Sequence, residues 1–255
     1  MAHLYRLPFH FHAHGHALSG EFRHPLWSII PAQASAALST IGGHAIARVE
    51  NFHFQDFACF KSAHTHISGK RRRGEPIETF VTHASTVVKG LNILGMVTAE
   101  RIVSRLTSIH SPKEPEGHII AEDSRFEGLK INGEDVKVIL RHDLLVKCKT
   151  FGDLTKGIAG DRKSGKIVGL DEDRQVAICS LVERIETKLK GVDAKQHLIE
   201  VKNFGKIFLA EIFAEPGTKT LTMLRLELGS PHVAEITAAE TTTNGQPYPP
   251  VPSGN

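Results

Sequence analysis

Apolar and polar residues alternate along much of this chain, which is the period of a half-buried strand. The clearest case is Phe126–Leu140. Leu129 and Ile131 alternate with polar residues before Asn132-Gly133, and Val136, Val138 and Leu140 alternate after it. Asn-Gly readily adopts the two positive φ values of a type I′ turn, so a hairpin is predicted there. A second hairpin is predicted from Lys206–Phe213, the turn Glu215-Pro216-Gly217, and Thr220–Leu228. In its second strand Leu224, Leu226 and Leu228 share one face, and Arg225 and Glu227 the other. Thr79–Ile93, rich in Thr and Val, reads as a further strand. Two stretches carry helical spacing instead. Ala99, Ile102, Val103 and Leu106 behind Thr98 suit a helix or a strand, whereas Ile178, Leu181, Val182, Ile185 and Leu189, ending at Gly191, read as a helix over 175–190. Thr150–Gly169 is Gly- and Lys-rich and reads as an inserted, mobile surface loop. The Gln246–Pro252 tail reads as extended, polyproline-like chain.

Four segments echo one another: Val49-Glu-Asn-Phe, Val88-Lys-Gly-Leu, Phe126-Glu-Gly-Leu and Val201-Lys-Asn-Phe. Each runs apolar, charged, Gly or Asn, apolar, as repeated hairpins or the rungs of a β-solenoid would. The expectation is therefore a mainly β protein, either a β-sandwich (jelly-roll-like) or a short β-solenoid, with an inserted loop/helix segment. Its parts are a His-rich strand or arm over 1–20, one β-rich domain over 21–245 with an insertion at about 145–192, and a Pro-rich tail over 246–255.

The chain has 255 residues, enough to bury a sizeable core. A net charge of +3 gives no electrostatic footprint for nucleic acid or an anionic membrane. Cys59, Cys148 and Cys179 lie far apart, so a disulfide scaffold is excluded and three reduced thiols are expected. No run of about 18 apolar residues is present, which removes a transmembrane helix. Met1–Leu18 holds five histidines and no apolar stretch of about 7–15 residues, unlike a conventional signal peptide. The cytoplasm is thus the default location; the alternative is an extracellular one, by a leaderless route or after leader removal.

The sharpest local pattern is Phe9-His-Phe-His-Ala-His-Gly-His16. In a strand His10, His12, His14 and His16 project from one face, and Phe9, Phe11 and Ala13 from the other. Neighbouring imidazoles on that face are close enough to share Zn²⁺, Ni²⁺ or Cu²⁺, with His44, His53, His64, His66 and His83 as further ligands. The structural reading is a strand with Phe9, Phe11 and Ala13 seated in a groove, their own or that of a second copy. Other motifs carry less. Gly160–Lys166 matches the start of a phosphate-binding loop but is followed by Ile167, where the magnesium-binding hydroxyl belongs. Lys70–Arg73 reads as a solvated hairpin end, and Gly169–Asp173 lacks the spacing of a calcium loop. No nucleophile elbow, dinucleotide fingerprint or HExxH helix occurs, so no catalytic residue is assigned.

Gly43–Val49, Thr86–Ile93 with Val97–Arg101, Ser124–Gly133 and Leu221–Ser230 resemble segments of an uncharacterised bacterial family of β-rich proteins. The Gly-Leu-x-Ile and Asn-Gly pieces are similar to those of some bacterial surface-anchored proteins. The resemblance implies a bacterial, β-rich, non-enzymatic protein and attaches no role to any residue. The leading expectation is a structural protein that self-associates into a homo-oligomer by strand addition through residues 4–18, as a filament or layer. The alternatives are a metal- or ligand-binding protein using the four histidines, and an enzyme without a local motif.

Overall fold

A computed structural model describes residues 9–25, 27–73, 78–111, 114, 116–162, 169–171, 173–189, 192–195 and 197–247. In chain order the first strands are β1 (Phe9–Phe22), β2 (Ser28–Gln33), β3 (Ala36–Ala37), β4 (Gly43–Phe54), β5 (Ala58–Arg72), β6 (Thr79–Ile93) and β7 (Val97–His110). Four shorter ones follow: β8 (His118–Ile120), β9 (Arg125–Glu127), β10 (Lys130–Ile131) and β11 (Glu134–Leu140). Two helices, α1 (Leu144–Lys147) and α2 (Phe151–Arg162), precede β12 (Gly169–Asp171), β13 (Val176–Ser180), β14 (Val182–Thr187) and β15 (Val192–Lys195). The chain ends in β16 (Leu198–Val201), β17 (Gly205–Glu215), β18 (Thr218–Leu228) and β19 (Ala234–Pro247).

These form two antiparallel sheets in a sandwich-like arrangement, so the solenoid alternative does not apply. The first runs β12-β13-β17-β18-β19-β1-β2, with β16 and β15 beyond β17 and β3 on β1. The second runs β14-β11-β10-β7-β6-β5-β4, with β8 and β9 on β7. Both hairpins read from the sequence are present. Asn132 and Gly133 take φ of 50° and 78° between paired Ile131 and Glu134, and Pro216-Gly217 joins Glu215 to Thr218.

The echoed segments have a local meaning. Their third residues, Asn51, Gly90, Gly128 and Asn203, all take left-handed φ, between 51° and 65°. Across the second sheet these positions fall in a row where pairing drops one residue from both partner strands without changing register, at Asn51 and Lys61 and then at Gly90 and Glu100. A matching row crosses the first sheet, where pairing skips Ala17, Ala239, Met223 and Ala210. At each such step the in–out parity along the strand shifts by one residue, as between Val49 and Phe52 in β4. That shift explains the helix-like spacing over 97–108. Glu100 and Arg101 lie where the parity shifts, so Ala99 and Ile102, three apart, both enter the core of a strand.

Where a helix is expected over 175–190, the described residues form the strands β13 and β14 instead. The chain leaves the first sheet at Ser180 and joins the second at Val182. Leu181, fully buried at that corner, breaks the alternation and mimics a helical stripe. Conversely, the segment read as a mobile loop contains α2. The Thr150 hydroxyl accepts from the Asp153 N–H at 3.0 Å, and the Thr150 N–H donates to the Asp153 carboxylate at 3.2 Å, a reciprocal cap.

The core has two parts. A small cluster joins Phe9, Phe11, Ala13, Leu38, Ile67 and Phe80; a larger one fills the rest of the sandwich. Between them lies a seam of buried hydroxyls, with Thr65 and Thr86 hydrogen-bonded at 3.1 Å. There the sheets approach so closely that a Cβ on Gly15 would lie 2.8 Å from the Thr86 hydroxyl, so only glycine fits.

Candidate functional site

β1 realises the two-faced pattern read from the sequence. Phe9, Phe11 and Ala13 are buried within this chain's own core, with Phe9 stacked on Phe80 at 4.4 Å. The strand pairs with β19 from Phe9 to Phe22, and its other side takes β2, β3 and a hydrogen bond from the Phe11 N–H to Thr40 O. It is an interior strand of its own sheet rather than a free arm.

The histidines line the outer surface. His10 and His12 are exposed and His14 and His16 half-buried, with the His12 and His14 rings 5.6 Å apart. His16 is engaged otherwise: its Nε2 bonds Ser19 and Thr237, and its Nδ1 lies 3.7 Å from Glu240, which accepts from the Thr222 hydroxyl. Burial pushes both His14 and His16 below the ordinary imidazole range; a neighbouring His12 adds to this at His14, and Glu240 opposes it at both. Among the described residues no three His, Cys, Asp or Glu side chains cluster closely enough to hold a metal ion. His12 and His14 are an adjacent pair in the row.

The histidines expected to complete such a shell lie elsewhere. His64, His66 and His83 alternate with core residues on the second sheet and face away from the first. Paired sheets stand about 10 Å apart, so no ion bridges the two outer surfaces. His66 and His83 sit 6.4 Å apart there, and His83 bonds Thr107. Burial lowers the affinity of His64 for a proton, and Arg48, Lys89 and Arg101 lower it further. Lys70–Arg72 ends β5, where Arg71 pairs with Glu78; residues 163–168 of the phosphate-loop-like stretch and 248–255 of the tail lie outside the described residues.

The lateral side of the sandwich formed by β2 and β4 is unlike the rest. Among the described residues β4, twelve residues long, pairs with β5 alone, and β2 with β1 alone. Along this side Trp27, Ile41 and Ile46 are 67–68% exposed and Ile29 50%, four of the seven exposed large apolar side chains among the described residues. The inward residues of β4, including Val49, Phe52 and Phe54, are only half-buried. Opposite, the other end of the second sheet is β14, whose Glu183, Arg184 and Glu186 are exposed. Sequence reasoning singled out β1 and missed β4, although Gly43–Val49 carries the same alternation.

A family model described as "Domain of unknown function (DUF8256)" matches residues 9–157. The chain belongs to this family. The match runs from the start of β1 into α2, so the DUF8256 segment ends before β19, the strand that pairs with β1 along its length. In this chain the segment is therefore completed by strands outside it. No curated protein and no solved structure matches the chain. Among the described residues no helix is long and apolar enough to cross a membrane.

Proposed function

We propose that this protein is a structural, self-associating β-sandwich whose copies join by strand addition at β4. The open hydrogen-bonding edge of β4 carries this reading, because unpaired N–H and C=O groups in a long strand template a further strand. Exposed Ile41 and Ile46 supply apolar surface beside it. A two-fold pairing centred on Ala47 sets Ile46 beside Arg48 and His44 opposite Glu50, with no like charges opposed. The charged β14 edge is guarded in the way natural edges are, which favours a closed dimer over an open filament or layer. Donation of residues 4–18 is the less favoured route, because it would first remove β1 from between β19 and β2.

Sedimentation of the full chain tests this. The expected result is a dimer at micromolar concentration that Ile46→Lys with Ile41→Lys converts to a folded monomer; both side chains are exposed, so folding is retained. A wild-type monomer at all concentrations, or a dimer indifferent to both charges, sinks the reading. A second reading, a metal bridge between copies, rests on the adjacent His12 and His14, and zinc-dependent mass lost in His12→Ala would favour it. For location, three free thiols favour the cytoplasm, and the similarity to bacterial surface-anchored proteins favours export; cell fractionation decides.

A further inference from the structure

The net charge of +3 conceals an uneven distribution between the two outer surfaces. β5 and β6 contain no acidic residue, and Lys61, His64, His66, Lys70, His83 and Lys89 stand exposed or half-buried along them. Lys89 lies directly opposite Arg101 of β7. Lys61, Lys89 and Lys130 line a cavity of about 320 Å³ on this surface, with Glu100 as its acid. Lys130 is paired with Asp135 at 3.6 Å, whereas among the described residues Lys61 and Lys89 have no acid at ion-pair distance. The acids nearest the strip, Glu50, Asp123 and Glu127, are taken up by Arg48, Arg105 and Arg125 at its margins.

The outer surface of the first sheet has the opposite sign. Glu227, Glu235 and Glu21 stand directly opposite one another across β18, β19 and β1. Their side chains are 41–48% exposed. Arg225 bonds Glu227 but lies 3.9 Å from Glu235, and Arg23 reaches Glu21 at 3.2 Å. The histidines register the difference. On this surface Glu240 opposes the effect of burial and favours a proton on His14 and His16. On the other, Arg48, Lys89 and Arg101 add to burial in disfavouring one on His64. Both charged regions lie toward one end of the sandwich. Phe22, which follows Glu21, packs on Phe57 in the β4–β5 turn, just before β5 reaches Lys61.

We propose that copies of this chain stack face to face, the acidic outer surface of one copy's first sheet lying on the basic outer surface of the next copy's second sheet. Because both regions sit at the same end, a copy displaced along the sheet normal without rotation sets its glutamate row over the lysines of its neighbour. Like charges set directly opposite cost each sheet stability, and a surface of the other sign laid over them relieves both. The contact is head-to-tail, and a translation does not close, so the stack stays open. It uses faces rather than edges and is therefore independent of pairing at β4.

Sedimentation of the full chain at about 20 mM and about 0.5 M salt tests this, since the higher concentration cuts the screening length to about 4 Å. Species larger than a dimer are expected at low salt and should be lost at high salt. Backbone pairing at β4 is not salt-dependent, so the high-salt mass reads it separately. Glu21→Lys with Glu235→Lys, or Lys61→Glu with Lys89→Glu, should each abolish the large species. All four side chains are substantially exposed, and circular dichroism checks that each variant is folded. Mixed in equal amounts, the two variants should stack again in alternation, which misfolded chains would not do. A mass indifferent to salt, large species persisting in either variant, or no recovery in the mixture overturns the stack. Salt-dependent binding of duplex DNA by a protein that forms no large species would overturn it too, assigning the basic surface to a nucleic acid instead.

Discussion

β18 carries two sheltered cations, six residues apart and on opposite faces, and the protein treats them differently. Arg225 faces outward. Its guanidinium makes a two-pronged bond to Glu211 at 2.6 and 3.2 Å, a third bond to Glu227, and lies 3.8 Å over the Phe208 ring. His197 approaches Glu211 at 3.4 Å from the other side. Burial alone would push the Glu211 carboxyl up, but the neighbouring His197 and the hydrogen bonds and charge of Arg225 outweigh it and hold it below the ordinary glutamate range. Lys219 faces inward and has none of this. A desolvated charge is tolerated where planar, bidentate partners replace water, as at Arg225. Where they do not, as at Lys219, which is fully buried with no hydrogen bond to its amine among the described residues, burial drives the group toward its neutral form.

The largest expected effect is at the satisfied site. Arg225→Met leaves Glu211 without its bidentate partner and should cost about 3–5 kcal/mol in urea unfolding, toward the lower figure because Arg225 is 22% exposed. The same substitution at Lys219 should act in the opposite direction, stabilising by about 1–3 kcal/mol, since it removes an unsatisfied polar group. A loss of stability in Lys219→Met would break the comparison.

The two sites should also give pH slopes in different ranges. Glu211 has a lowered folded pKa, so its contribution is complete above the ordinary glutamate range and is lost as pH falls through the folded value. Arg225→Met should remove that acid-side loss. Lys219 also has a lowered folded pKa, but as a base it binds more protons unfolded than folded, so stability rises with pH up to the ordinary lysine range. Lys219→Met should flatten that alkaline rise, as unfolding curves from pH 7 to 10 would register. The smallest effect is at Phe208: Phe208→Leu removes the ring beneath Arg225 and should cost about 0.5–1 kcal/mol beyond lost packing, measured as coupling with Arg225→Met in a double-mutant cycle.

Much of the fold was legible because its signals are local. Alternation in β1 placed Phe9 and Phe11 inside and the histidines outside, and Asn132-Gly133 and Pro216-Gly217 marked their turns. Thr150 and Asp153 also announce α2 by their three-residue spacing, a sign the Gly- and Lys-rich composition around them obscured. The echoed Asn and Gly positions are local too, since each marks a left-handed residue, but that they line up across a sheet depends on register.

The candidate sites were not legible, since each depends on which strands become neighbours. The sequence alone determined a β protein with a two-faced first strand and turns at fixed positions, because backbone dihedrals and side-chain alternation act over a few residues. Only the tertiary structure decided that β1 lies inside a sheet while β4 is left at an edge. It alone switched 176–187 from one sheet to the other at Leu181, and paired Thr243 with the buried Lys219, a residue that Thr218-Lys-Thr220 presents as an ordinary polar position. Edges and burial are set by pairing between residues far apart in the chain, and no local pattern encodes that pairing.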